Sequence, residues 1–161
     1  MEQELDAVKD VRRVLWQWGR IDRRIADLME QMRIAVDRAQ SVYEIQSGRG
    51  LDGMPHGSGT GDPVFRAVEQ IGKMRELFAA EIETCETEIQ KAQEFKAAVN
   101  EAINDLTPVQ RDVLHLRYQE GHNWIYIAFR LYMSEKTARR YDVQACTALA
   151  QKITITKNDR F

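Results

Sequence analysis

Residues 106–149 run Leu106-Thr-Pro-Val-Gln-Arg-Asp-Val-Leu-His-Leu-Arg-Tyr118, Gln-Glu-Gly-His-Asn123, Trp-Ile-Tyr-Ile-Ala-Phe-Arg-Leu131, Tyr-Met-Ser134 and Glu-Lys-Thr-Ala-Arg-Arg-Tyr-Asp-Val-Gln-Ala-Cys-Thr-Ala-Leu149. Two tight breaks separate three short amphipathic segments. Thr107-Pro108-Val109-Gln110 reads as a helix start, with a capping threonine, proline at the first position and a glutamine able to reach back. Val109, Val113 and Leu116 then share a face, with Leu114 and Tyr118 beside it. Gly121 supplies a turn and Asn123 a cap. Trp124, Ile127, Ala128 and Leu131 make the inward stripe of the second segment, with Trp124 the expected plug of a small three-helix core.

Ser134 is the expected cap of the third segment. Its inward face reads Ala138, Tyr141, Ala145 and Leu149. That leaves Ser134, Glu135, Lys136, Thr137, Arg139 and Arg140 on the leading turns, with Gln144 one turn later. Arginine can pair with guanine through two hydrogen bonds, and threonine can meet the thymine methyl group. A helix of this kind, after two short ones, is the arrangement that enters the major groove of double-stranded DNA. The seven residues just named are the candidate DNA-binding set.

Charge distribution agrees. Residues 1–106 carry 14 basic and 20 acidic side chains, a net of −6, whereas residues 107–161 carry 9 and 5, a net of +4. A basic module behind an acidic one is a modest electrostatic footprint for phosphate binding.

Upstream, residues 3–46 and 63–106 both show long helical periodicity. In the first, Leu5, Val8, Leu15, Trp18, Ile25, Leu28 and Met32 form the stripe, widened by Val11, Val14, Ile21 and Ala35. Trp16 falls off that seam and is expected to be an exposed aromatic favouring self-association. In the second, Val64, Val68, Ile71, Phe78, Ile82, Cys85, Ile89, Ala92, Val99, Ile103 and Leu106 keep three- and four-residue steps, interrupted by Arg75 and Lys96. The link at 47–62 holds six of the nine glycines. It reads as a connector or as an interaction loop anchored by Leu51 and Met54. Two equal helical segments, each about 66 Å long at 1.5 Å per residue, imply an antiparallel hairpin. The expected fold is all-α: a long antiparallel coiled-coil hairpin over 1–106, then a helix-turn-helix domain over 107–161.

Residues 106–149 resemble region four of bacterial sigma factors, and the C-terminal module of phage-encoded late transcription regulators of the RinA and ArpU type. The resemblance rests on Leu106-Thr107, Leu114, Leu116-Arg117-Tyr118, Trp124 with Ile127-Ala128, Ser134, Thr137-Ala138-Arg139-Arg140 and Ala145 to Leu149. It implies sequence-specific promoter binding, late-gene activation in a phage or prophage, and contact with RNA polymerase. Two positions depart from the pattern. Val109-Gln110-Arg111 replaces an acidic first turn. Leu131-Tyr132-Met133-Ser134 replaces a glycine turn; a tyrosine forced to positive φ is strained, so a different turn geometry is expected there. A sigma region two is not recognisable.

Other chemistry finds little support. His56, His115 and His122 are scattered and lack metal-ligand spacing, and Cys85 and Cys146 read as reduced buried thiols. The phosphate-loop, dinucleotide and nucleophile-elbow patterns are missing, so neither an enzyme nor a cofactor is expected. The N-terminus has no apolar signal core and the longest apolar run, Trp124–Phe129, is too short to span a membrane, so the expected location is cytoplasmic. The expected assembly is a homo-oligomer, with a dimer favoured. A small-terminase-like packaging protein, which assembles as a ring, and a coiled-coil protein-interaction adaptor are the alternatives. Solution mass and DNA binding separate the three.

Overall fold

The computed structural model describes residues 2–46 and 63–152. The expectations for the link at 47–62, with Leu51, Met54 and His56, and for the chain after 152 lie outside the described residues. All regular structure among the described residues is helical. Helix α1 spans Glu2–Gln46 and α2 spans Pro63–Asn104; three short elements follow, α3 at Pro108–Leu114, α4 at Trp124–Arg130 and α5 at Glu135–Lys152. None of the described helices is long and apolar enough to cross a membrane.

Helix α1 runs unbroken because it contains no proline and its polar face is laced with exposed pairs, such as Arg33 between Glu30 and Asp37. Helix α2 begins at Pro63, where a missing N–H costs nothing. Packing divides the chain into two compact units, Met1–Arg24 with Ala92–Phe161, and Ile25–Lys91. The boundary expected at residue 106 therefore falls inside the first unit. The reason is a shared core: Val11, Leu15 and Trp18 of α1 and Val99, Ile103 and Leu106 pack with Leu114, Tyr118, Ala145, Cys146 and Leu149. Val11, expected only to widen the α1 stripe, lies at its fully buried centre. Within the same unit, Trp18 Nε1 donates to Asn100 Oδ1 at 2.8 Å and Lys96 bonds Asp22, so α1 and α2 run antiparallel here. Lys96, an interruption in the apolar pattern, thus forms a cross-helix ion pair. The second unit buries Ala35, Val42, Cys85 and Ile89.

A second, smaller core joins the short helices: Val113, Leu116, Ile127 and Ala138 are buried, with Trp124, Leu131, Met133 and Tyr141 packed around them. The breaks are built as the capping residues dictate. The Thr107 N–H donates to the Gln110 side chain at 3.1 Å, and the Tyr126 N–H donates to Asn123 Oδ1 at 2.8 Å. After Leu114 the helix widens into a π-turn over His115–Gln119, closed by the Glu120 N–H on the His115 carbonyl at 3.1 Å. Gly121 then turns the chain at φ 74. The turn from α4 into α5 does not avoid strain in the way expected. Tyr132 adopts φ 53, and the Met133 N–H reaches the Ala128 carbonyl at 2.9 Å while the Tyr132 N–H bonds Phe129. This is the glycine-type helix stop, executed with a tyrosine.

At the π-turn the backbone of α1 also approaches closely. A Cβ placed on Gly19 would stand 1.9 Å from the Tyr118 carbonyl oxygen and 2.6 Å from its carbon. The obstacle is backbone, which cannot swing away, so the contact outweighs alanine's helix preference of about 1 kcal/mol over glycine. Gly19→Ala is expected to lower the unfolding free energy by about 2 kcal/mol, as overpacking does. Urea denaturation followed by circular dichroism measures it; an unchanged midpoint would show that the two backbones do not touch.

Candidate nucleic-acid interface

Ser134 launches α5. Its Oγ accepts the Thr137 N–H at 3.1 Å and lies 2.8 Å from Thr137 Oγ1, so both hydroxyls are committed to the cap. Glu135 pairs with Arg139 at 3.2 Å, one turn on. The Arg139 guanidinium also stands 5.9 Å from the Trp124 ring centre. Lys136, Arg140 and Gln144 follow at four-residue steps and are all exposed. Arg140 lies over Tyr141 at 5.8 Å, and neither it nor Lys136 is in an ion pair among the described residues. The structure thus gathers six of the seven candidate residues on α5, with Ser134 as its cap, but divides them by role. Ser134 and Thr137 build the start, Glu135 holds Arg139, and Lys136, Arg140 and Gln144 form an open polar row.

The opposite side of α5 carries a group the sequence reading passed over. Asp142 has no exposed surface. Arg12 of α1 donates to Asp142 Oδ2 from Nη2 at 2.7 Å and from Nε at 3.2 Å. Tyr118 donates its hydroxyl to Oδ1 at 2.9 Å, and the Cys146 thiol lies 3.9 Å from the same oxygen. Burial of the Arg12 guanidinium works against its charge, but the hydrogen bond and charge of Asp142 outweigh it and raise its pKa. Burial, then the charge of Asp142, pushes the Cys146 thiol up to about 12, and burial and the same carboxylate raise Tyr118. At neutral pH Arg12 is therefore charged and Tyr118 and Cys146 keep their protons, so all three face Asp142 as donors.

Aromatic side chains tie α1 to the short helices a second time. Trp16 packs edge-on against Tyr118 at 5.1 Å, and Arg117 lies over Trp16 at 5.4 Å and over Trp124 at 4.9 Å. Arg117 Nη1 also donates to the His122 carbonyl at 2.9 Å. Trp16 is exposed, as expected, and its ring also engages Tyr118 and Arg117 within the chain. Trp124 combines two roles, a wall of the small core and a platform for Arg117 and Arg139. Among the described residues, no group of three or more His, Cys, Asp or Glu is placed to hold a metal ion.

The chain belongs to the family described as protein of unknown function DUF722, whose model matches residues 65–151, more than half of the sequence. Neither a curated protein nor a solved structure matches it.

Two outcomes follow from the Asp142 cluster. Arg12→Ala strands a buried carboxylate. Removing one partner of a fully buried pair costs about 3–5 kcal/mol; because the Arg12 side chain is partly open to water, about 2–3 kcal/mol is expected. Arg12→Ala combined with Asp142→Asn should recover part of the loss, as a double-mutant cycle in urea would register. The second outcome concerns alkali. The folded-state pKa of Cys146 lies above its ordinary 9.0, so its contribution is complete below that pH and lost as pH rises to about 12. Thermal unfolding across that window should show a falling midpoint, less steep in Cys146→Ala.

Proposed function

We propose that this protein is a sequence-specific DNA-binding transcription regulator, with α3, α4 and α5 forming a sigma region-four-like helix-turn-helix and α5 as its reading helix. The observation that carries this reading is the open row Lys136, Arg140 and Gln144 on a helix capped by Ser134 and braced by a core of its own. Phosphate contacts fix the register of such a helix, and the side chains on its leading turns read base edges. Lys136 supplies a flexible charge, Arg140 a planar fork suited to guanine, and Gln144 an amide suited to adenine. Arg139, held between Glu135 and Trp124, is preorganised rather than free, and suits a fixed phosphate or base contact.

The resemblance of residues 106–149 to phage late regulators of the RinA and ArpU type makes a promoter the DNA target and RNA polymerase a partner. The antiparallel pairs Trp18–Asn100 and Asp22–Lys96 favour α1 and α2 as the two arms of a hairpin that supports assembly, with a homodimer reading two half-sites about one helical turn apart. The reading involves no cofactor and no catalysis.

Genomic DNA captured by the full chain identifies the binding site, and titrations of that site and of random duplex at several salt concentrations test the assignment. Arg140→Ala is expected to weaken the captured site about ten- to a hundredfold, the value of one bidentate base contact. Its effect on random duplex should be several-fold smaller. Equal loss on both would assign Arg140 to phosphate. Failure of the unaltered chain to bind any duplex at low salt would overturn the function.

A further inference from the structure

Helix α4 turns Ile127 and Ala128 inward, and its other face is strongly apolar. Ile125 is 67% exposed, Phe129 79% and Tyr132, just past the helix end, 97%, with Tyr126 beside them. The spacing is i, i+4, i+7, a continuous stripe. Large aromatic side chains offer about 150–250 Å² each, so the patch is on the order of 500 Å². That is at the upper end of what monomers expose without a partner, about 300–600 Å². Tyr132 adds an independent pointer. It occupies the left-handed conformation that costs an ordinary residue about 1–2 kcal/mol, and among the described residues its ring is almost wholly exposed. The helix stop accounts for that backbone, but not for a large aromatic ring standing in water where glycine would serve.

The charges at the two ends of the stripe say what covers it. At the N-terminal end, Glu120 bonds His122 at 3.0 Å, and the His122 ring lies against Tyr126 at 3.9 Å, which places an acid beside the patch. At the C-terminal end Arg130 is exposed, one turn after Tyr126. A face that is acidic at one end, apolar in the middle and basic at the other is complementary to itself when turned through a two-fold axis, with Glu120 meeting Arg130 twice. A stable interface needs about 800 Å² on each side, with an apolar centre and a polar rim. The stripe supplies the centre, and the charged ends with the neighbouring turns supply the rim. We infer that a second copy of this chain docks here, α4 against α4, so that the DNA-reading unit carries its own dimer contact in addition to any made by the long helices. The surface itself does not depend on the DNA-binding reading.

Two measurements on the full chain test it. Analytical ultracentrifugation gives the dissociation constant for self-association. Phe129→Glu and Tyr132→Gly should each raise it at least tenfold while leaving the helical circular dichroism intact, since both side chains are exposed. Glu120→Arg and Arg130→Glu should each raise it, and the two together in one chain should restore it. Phe129→Cys should give a disulfide-linked dimer under mild oxidation, whereas Val109→Cys should not. Unchanged association with all four surface variants, or failure of the charge pair to restore it, overturns the proposal, as does a chain that is monomeric throughout. DNA affinity is read separately, so loss of DNA binding with intact α4 pairing sinks the regulator reading alone.

Discussion

A carboxylate without solvent has to be matched, and Asp142 is matched from three directions. It sits within one turn of Arg139 and Arg140 on the same helix, and its strongest partner, Arg12, comes from the other end of the chain. A helix rotated by a fraction of a turn would leave that charge stranded. The ion pair therefore sets how α5 is rotated in its socket, and with it which side chains face outward. Buried pairs of this kind contribute little to net stability compared with an apolar core, but they tolerate few alternative arrangements. Here the arrangement they select is the one that exposes Lys136, Arg140 and Gln144.

Around this pair the remaining contacts are consistent with one another. Gly19 lets the backbone of α1 lie against the carbonyl of Tyr118, and Tyr118 in turn delivers its hydroxyl to Asp142. Trp18 fills the space between α1 and α2 and satisfies its indole N–H on Asn100. Trp16 and Trp124 hold Arg117 between them, next to Arg139. The short helices are thus not a bead on a string. Their larger core is completed by α1 and α2, and the regulator we propose would read DNA with a unit assembled from both ends of its sequence.

The short helices themselves were legible because their signals are local. Thr107-Pro108, Gly121, Asn123 and Ser134 each act within four residues, and each forms the break its chemistry predicts. The leading row of α5 was legible for the same reason, since helical spacing fixes which residues oppose Ala138, Ala145 and Leu149. What the pattern hid was polar and distant. Asp142 lies between Ala138 and Cys146 at four-residue steps, so the spacing alone placed it inside, but an acid reads as surface until its partner is known. Arg12 is 130 residues away and no periodicity connects the two. Nor does periodicity single out Gly19, because the carbonyl it accommodates belongs to another helix. Tyr132 misled in the opposite direction: its unfavourable backbone is present, and the turn keeps the geometry that glycine normally gives.

The central claim is that the outward row of α5 touches DNA while Asp142 holds the helix from behind. Photo-crosslinking of the full chain to the captured duplex, with the attachment points mapped by mass spectrometry, measures this directly. The account predicts crosslinks concentrated at Lys136, Arg140 and Gln144. Crosslinks confined to other helices, with these three positions unlabelled on a duplex that binds, would contradict it.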